Sequence, residues 1–222
     1  MYIRKNFIEI KSHLPEGVKL IAVSKFQPVE VIQQAYDAGQ RLFGENRVQE
    51  LIAKQPLLPD DIKWHFIGTL QTNKVKFIAP FISMIQSVDS IKLMREINRQ
   101  AGKCNRNIQV LIEVHIAEEN SKHGFSPDEC RSLFENGVPS QFENIQVCGL
   151  MGMATFTDNM EQVRREFRML RTLFDDVRKM PSIDTSIFTE LSIGMSDDYK
   201  IAIEEGSTMV RIGTALFGER TG

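Results

Sequence analysis

Lys19-Leu-Ile-Ala-Val-Ser24 contains the continuous apolar run Leu20–Val23, and the chain passes from it through Lys25 into a helical pattern that opens at Pro28 and ends at Gly39. An uninterrupted apolar run of this length is typical of a strand buried on both faces of a parallel sheet. Proline suits the first turn of a helix, where its missing N–H costs little, and glycine suits the end. This strand, turn and helix form the unit whose recurrence decides the fold.

The same unit recurs along the whole chain. Short runs rich in β-branched residues alternate with helical patterns, which predicts a parallel sheet. Strands are expected at residues 19–24, 41–44, 62–67, 83–87, 108–116, 145–151, 189–192 and 208–212. Eight strands with helices between them predict an α/β fold of the single (β/α)8 TIM-barrel type, and an open doubly wound sheet is the alternative. Because no linker interrupts the sequence, we expect one domain over residues 1–222.

Length and composition are those of a globular protein of one barrel domain. The chain has 222 residues, 42% of them hydrophobic and 25% charged. Its 27 basic and 29 acidic side chains leave a formal charge of −2, which argues against a general nucleic-acid binder. Three separated cysteines favour a reducing compartment, and no signal peptide or membrane-length apolar run is found. We therefore expect a cytoplasmic protein that binds neither nucleic acid nor a membrane, and polar helix faces favour a monomer.

Residues suited to chemistry follow the predicted strands. In a barrel of this kind, ligand sites lie on the loops after the carboxyl ends of the strands. Such residues occur at 24–27, 44–47, 65–68, 152–155, 192–196 and 211–214. These positions converge only if the barrel closes. No group of histidines, cysteines and acids has metal-ligand spacing, so we expect no metal.

Lys25 directly follows the first strand, at the mouth of the predicted barrel. Partial desolvation there disfavours the ammonium form and frees the amine. A nucleophilic amine forms Schiff bases with aldehydes, including pyridoxal 5′-phosphate (PLP). The alternative is an ordinary surface lysine at a strand end, and position alone favours that alternative.

Two glycine-bearing loops follow the seventh and eighth strands, Ser192-Ile-Gly-Met-Ser196 and Arg211-Ile-Gly-Thr214. Gly194 and Gly213 let the backbone approach a ligand closely, and each loop precedes a helix or turn whose N–H groups can face an anion. Phosphate sites in barrels recur after these two strands. The loops therefore predict a phosphate site, although both can also be simple tight turns.

Three further side chains are candidates for the same site. Arg211 facing the pyridine nitrogen of PLP would leave that nitrogen unprotonated, because arginine only donates. Alternatively, Arg211 pairs with an acid such as Glu45 or Glu113. Asn46 can hydrogen-bond the ring hydroxyl of the cofactor or cap the next helix. His65 is expected to line the site rather than act as an acid or base, although a lone histidine on a strand is more often a core or rim residue.

Seven short motifs stand in the order of one known family. They are Ala22-Val-Ser-Lys25, Phe43-Gly-Glu-Asn46, Trp64-His-Phe-Ile-Gly68, Glu119-Asn-Ser-Lys122, Gly149-Leu-Met151, Leu191-Ser-Ile-Gly-Met-Ser-Asp-Asp198 and Gly206-Ser-Thr-Met-Val-Arg-Ile-Gly-Thr214. The match covers nearly the whole chain. Together these motifs closely resemble the YggS/PROSC family of PLP homeostasis, or PLP-binding, proteins.

The resemblance implies a barrel like the N-terminal domain of alanine racemase, the fold type III of PLP proteins. It implies PLP held as a Schiff base on Lys25, with Arg211 near the pyridine nitrogen. It also implies a phosphate held by Ser192, Gly194, Met195, Ser196, Gly213 and Thr214. The family's role is the control of free PLP, with no established enzymatic turnover.

Three functions are compatible with these features. The first is a PLP carrier for intracellular PLP homeostasis, which is not an enzyme in the usual sense and passes the cofactor to apo PLP-dependent enzymes. The second is a PLP-dependent amino-acid racemase with weak or narrow activity. Racemisation needs a second acid–base group opposite Lys25, and Tyr199 is the candidate for it. The third is a Schiff-base aldolase or phosphate-sugar enzyme without PLP, which predicts a colourless protein.

Overall fold

Eight parallel strands close into a barrel in sequence order, in a computed structural model that describes residues 2–118 and 123–218. The strands are β1 (Lys19–Val23), β2 (Leu42–Glu45), β3 (Lys63–Phe66), β4 (Met84–Val88), β5 (Ile108–His115), β6 (Ile145–Met153), β7 (Glu190–Ser192) and β8 (Met209–Ile212). β8 pairs with β1 from Lys19↔Met209 to Ala22↔Ile212, which confirms the predicted barrel and excludes the open sheet. The motif at 119–122 lies outside the described residues.

The helices surround the barrel; the first precedes β1, and the others follow strands. They are α1 (Tyr2–His13), α2 (Val29–Asp37), α3 (Val48–Lys54), α4 (Val75–Ile78), α5 (Ile91–Lys103), α6 (Pro127–Glu135), α7 (Met160–Arg178), α8 (Tyr199–Glu204) and α9 (Thr214–Phe217). The sequence pattern did not indicate α9, which meets α1 where the Asn6 amide donates to Leu216 O at 3.0 Å. Among the described residues, each helix is too short or too polar to cross a membrane.

The inside of the barrel is filled in layers. Successive side chains of each strand point alternately into the barrel and out towards the helices. Outward side chains build the larger core between the sheet and the helices. Inward side chains form a separate apolar layer below the carboxyl ends of the strands, made by Ile21, Met84, Leu111, Cys148, Met151 and Met209. The barrel is therefore a packed core rather than a pore, and room for a ligand is left at its carboxyl end.

Candidate functional site

A cavity of about 740 Å³ lies at the carboxyl end of the barrel. Its walls come from residues at or beyond the ends of β1, β2, β3, β5, β6, β7 and β8. His65, Ser192 and Gly194 are not among the lining residues. Seven of the predicted site residues do line it, namely Lys25, Asn46, Met195, Ser196, Arg211, Gly213 and Thr214.

Four buried side chains form a chain of hydrogen bonds across the barrel. Arg211 Nη1 donates to Ser192 Oγ at 2.6 Å, and Ser192 Oγ donates to Gln86 Oε1 at 2.7 Å. Gln86 Nε2 then lies 2.9 Å from His65 Nδ1. Each of the four residues is at most 4% exposed. Because an amide nitrogen only donates, Nδ1 of His65 must accept, and its ring proton therefore sits on Nε2.

His65 is a neutral end point for this chain of hydrogen bonds. Burial, with a smaller contribution from the positive charge of Lys19, lowers the pKa of His65 from 6.5 to about 3. A protonated imidazole would present N–H at both ring nitrogens and could not accept from Gln86. The structure thus places Ser192 where it orients Arg211 directly, and His65 where it supports Ser192 through Gln86.

We expect the free energy of unfolding to decrease as the pH is lowered from about 6.5 towards 3, because His65 is held neutral in the folded state. In the unfolded chain the imidazole of His65 takes up a proton near pH 6.5, whereas in the folded chain it stays neutral until about pH 3. The folded state therefore loses about 1.4 kcal/mol of stability for each unit by which the pH is lowered between these values. Denaturant unfolding of apo-protein between pH 7 and pH 4.5 measures this. The slope should be shallower in His65→Asn and unchanged in the surface variant His13→Asn, and equal slopes in all three would contradict the assignment.

Arg211 is a buried cation held by neutral acceptors. Besides Ser192 Oγ, its guanidinium donates to Ser192 O at 2.8 Å and to Gly152 O at 3.0 Å. No ion pair joins it to a carboxylate within residues 2–118 and 123–218, and Glu45 instead pairs with Lys54 at 2.8 Å. The alternative in which Arg211 pairs with Glu45 is therefore wrong. Burial lowers the pKa of Arg211 to about 10, against the opposing charges of Asp198 and Glu113, so the group stays cationic at neutral pH.

Asn46 brings an unsatisfied acceptor to the cavity. Its Oδ1 is buried and has no hydrogen-bond partner in the described part of the chain. Asn46 does not cap the next helix, because α3 starts after Arg47 and its first turn receives no side-chain bond. A buried acceptor without a donor is costly, so this oxygen suits a ligand that carries a hydroxyl or N–H group.

Lys25 enters the same cavity from the end of β1. It stands two residues after Val23, and both line the cavity, so the inward alternation of β1 continues into the turn. The Lys25 side chain is half-buried, as the sequence predicted for a lysine at the barrel mouth.

The two glycine-bearing loops lie beside each other. Arg211 N–H donates to Gly194 O at 3.0 Å, and Ala215 N–H reaches Ser196 Oγ at 3.5 Å. A Cβ on Gly194 would lie 2.5 Å from Ala202 Cβ, so only glycine lets this loop pack on α8. The Met195 N–H is already engaged by Asp198 Oδ1 at 2.5 Å. Ser196 and Thr214 supply the hydroxyls that these loops present to the cavity, beside the guanidinium of Arg211.

Sequence reasoning missed two residues of this site. Gln86 joins Ser192 to His65, although no motif marked it. Glu113 lines the cavity, and it was considered only as a partner for Arg211. Burial and the charge of Asp89 raise the pKa of Glu113, against the opposing charges of Arg211 and His123. The available signal was its position on β5, two residues after Leu111, which points into the barrel.

The closed barrel and its cavity place the chain in a known structural class. The family model for the alanine racemase N-terminal domain matches residues 2–221. An alanine racemase structure from Clostridium difficile superposes with a TM-score of 0.73 over 100% of this chain and 56% of that chain. At 18% identity this second likeness concerns the fold alone. The protein is thus a barrel of the alanine racemase N-terminal domain class, as the sequence predicted.

Two closer relatives narrow the class to one family. The pyridoxal phosphate homeostasis protein of Aquifex aeolicus is 45% identical over 203 residues, which are 91% of this chain and 87% of the relative. The structure of PipY from Synechococcus elongatus with PLP bound is 38% identical, with a TM-score of 0.87 over 97% of this chain and 100% of that chain. The chain belongs to the family of pyridoxal phosphate homeostasis proteins, which confirms the resemblance found in its motifs.

Proposed function

We propose that this chain binds PLP in the cavity as a Schiff base with Lys25, and that it holds the cofactor for delivery to apo PLP-dependent enzymes. The observation that carries the proposal is the meeting of Lys25, Arg211 and both glycine-bearing loops on one cavity. Membership of the PLP homeostasis family and the PLP-bound PipY structure support the same assignment.

The residues present fit this cofactor. PLP supplies an aldehyde, a phosphate and a ring hydroxyl. The amine of Lys25 suits the aldehyde, and the unsatisfied Oδ1 of Asn46 suits the ring hydroxyl. The hydroxyls of Ser196 and Thr214 suit the phosphate, beside the backbone of Gly213. The cavity volume of about 740 Å³ lies within the usual range of small-molecule sites.

Arg211 favours holding the cofactor over turnover. Described acceptors take three of its N–H donors, and a guanidinium has five. The remaining donors suit a pyridine nitrogen, to which arginine gives a hydrogen bond but no proton. An unprotonated ring withdraws electrons weakly, so carbanion chemistry is restrained. The buried chain through Ser192 and Gln86 keeps the guanidinium in this orientation.

The geometry gives little support to a racemase. Tyr199, the candidate for the second acid–base group, is not among the described residues that line the cavity. Its backbone instead packs under Gly194, where a Cβ would lie 3.0 Å from Tyr199 Cα. A second proton carrier opposite Lys25 is therefore not supplied by this tyrosine.

Binding and delivery are tested in one experiment. Apo-protein mixed with PLP is expected to gain a visible absorption band, and borohydride should fix the label on the tryptic peptide that contains Lys25. The loaded protein is then mixed with an apo-aminotransferase while a phosphatase destroys free PLP. Reactivation in spite of the phosphatase supports a carrier. A colourless protein would overturn the binding proposal, and reactivation abolished by the phosphatase would overturn delivery alone.

A further inference from the structure

The turn that carries Lys25 adopts an unfavourable backbone conformation. Phe26, the next residue, has φ of 63°, in the left-handed region that bulky side chains avoid. The Gln27 N–H donates to Ser24 O at 3.0 Å and closes the turn. Such conformations persist when surrounding groups hold them, and they occur often at functional sites.

Two residues of α3 hold both sides of this turn. Glu50 Oε1 accepts a hydrogen bond from Phe26 N–H at 2.5 Å. Lys54 Nζ donates to Ser24 O at 2.8 Å and to Glu50 Oε1 at 2.6 Å. The backbone is therefore hydrogen-bonded to α3 side chains at the residue before Lys25 and at the residue after it. We call Glu50 and Lys54 the α3 clasp.

The α3 clasp lies outside the cavity, and its lysine is buried while Glu50 is 19% exposed. The Lys54 side chain is 8% exposed, and its third donor goes to Glu45 Oε1 at 2.8 Å. Glu45 is fully buried and also accepts from Ser24 Oγ at 2.6 Å. All three donors of the Lys54 ammonium are thus used, and neither clasp residue lines the cavity.

We propose that Glu50 and Lys54 are positioning residues for Lys25. By holding Ser24 O and Phe26 N–H, they keep the strained turn in place and fix the direction in which the Lys25 amine enters the cavity. The inference rests on the proposed Schiff base at Lys25. It adds that the geometry of this bond is set from outside the cavity, by an ion pair on the helix after β2, between the half-buried Glu50 and the buried Lys54.

Three variants on α3 separate positioning from general stability. Glu50→Ala removes the acceptor for Phe26 N–H, Glu50→Gln keeps an acceptor without the charge, and the exposed neighbour Gln49→Ala is the matched control. We expect Glu50→Ala to weaken PLP binding about tenfold and to lower visible circular dichroism per bound chromophore, which reports a fixed orientation. Glu50→Gln should stay within about threefold of wild type, and Gln49→Ala should equal it. Thermal melting of each apo-protein records any loss of folding.

A glycine at the strained position gives the decisive comparison. Glycine adopts the left-handed region without a steric penalty. In Phe26→Gly the turn should therefore keep its conformation without the hydrogen bond from Glu50. In the Phe26→Gly background, Glu50→Ala should weaken binding less than about threefold. An undiminished tenfold loss in that background, or equal losses in Glu50→Gln and Glu50→Ala, would overturn the positioning role.

A measurement without PLP keeps this test separate from the proposed function. The labelling rate of Lys25 by trinitrobenzenesulfonate in apo-protein, followed by mass spectrometry, should rise about threefold in Glu50→Ala because the loosened turn releases the side chain. It should be unchanged in Gln49→Ala. If wild-type protein fails to bind PLP, the function fails while this labelling result still decides the role of the clasp. Equal labelling in wild type and Glu50→Ala would overturn it.

Discussion

Replacing Lys25 by alanine is expected to remove the visible absorption band that the wild-type protein acquires with PLP. Among the described residues that line the cavity, Lys25 carries the only primary amine, so no neighbour there can form the Schiff base instead. After borohydride treatment, the covalent label should fall below roughly a tenth of the wild-type amount. Absorption spectra and peptide mapping on matched protein concentrations measure both quantities.

The control for the loss of the absorption band is a substitution of an exposed lysine that does not line the cavity. Lys76 is exposed on α4, and Lys76→Ala should keep the band and its fixation. Lys25→Ala should also retain weak, non-covalent PLP binding, because Ser196, Thr214 and Arg211 are untouched. A full band in Lys25→Ala, with the label on another peptide, would contradict the assigned anchor.

The strands were predictable because their burial leaves a simple mark in the sequence. β1 was expected at residues 19–24 and spans Lys19–Val23, and the other strands differ by two residues or fewer. Strands covered on both faces read as continuous apolar runs, which are easy to recognise. Closure was a weaker prediction, since only the pairing of β8 with β1 separates a barrel from an open sheet. That pairing joins the two ends of the chain, and no local pattern encodes it.

The direction of side chains explains where the site predictions fell short. Asn46 faces the cavity, so Glu45 must point the other way, towards α3, and it pairs with Lys54 rather than with Arg211. Alternation alone could have excluded Glu45. Gln86 was harder to find, because alternation from the inward Met84 places it inside the barrel but does not show which polar groups it joins.

Ser192 illustrates a limit that no motif removes. The resemblance assigns it to the phosphate, whereas the structure places its hydroxyl between Arg211 and Gln86 in the interior. A serine at a strand end can face a ligand or a neighbouring side chain, and sequence spacing is the same in both cases. The choice depends on Gln86, which lies 106 positions away along the chain.

Gly149→Ala is expected to be the most destabilising single substitution among those considered. A Cβ at this position would lie 1.7 Å from Glu190 O and 2.6 Å from Glu190 C, both backbone atoms of β7. Backbone cannot rotate away as a side-chain end can, so β6 and β7 must separate. We expect a loss of about 4 kcal/mol or more, measured by urea unfolding. Gly137→Ala is the matched control, because its φ of 62° is also positive but its nearest neighbour, Ser140 Oγ, is 3.6 Å away.

The expected loss also reaches the cavity proposed to hold PLP, which Gly149 does not line. The same β6–β7 pairing aligns Met151 with Ser192, and the next residue, Gly152, gives its carbonyl to Arg211. Separation of these strands would move both Gly152 O and Ser192 away from the guanidinium. Any folded Gly149→Ala protein should therefore bind PLP more weakly, whereas Gly137→Ala should lose only about 1 kcal/mol of stability and keep its affinity. Wild-type affinity in a strongly destabilised Gly149→Ala protein would show that Arg211 does not depend on this pair of strands.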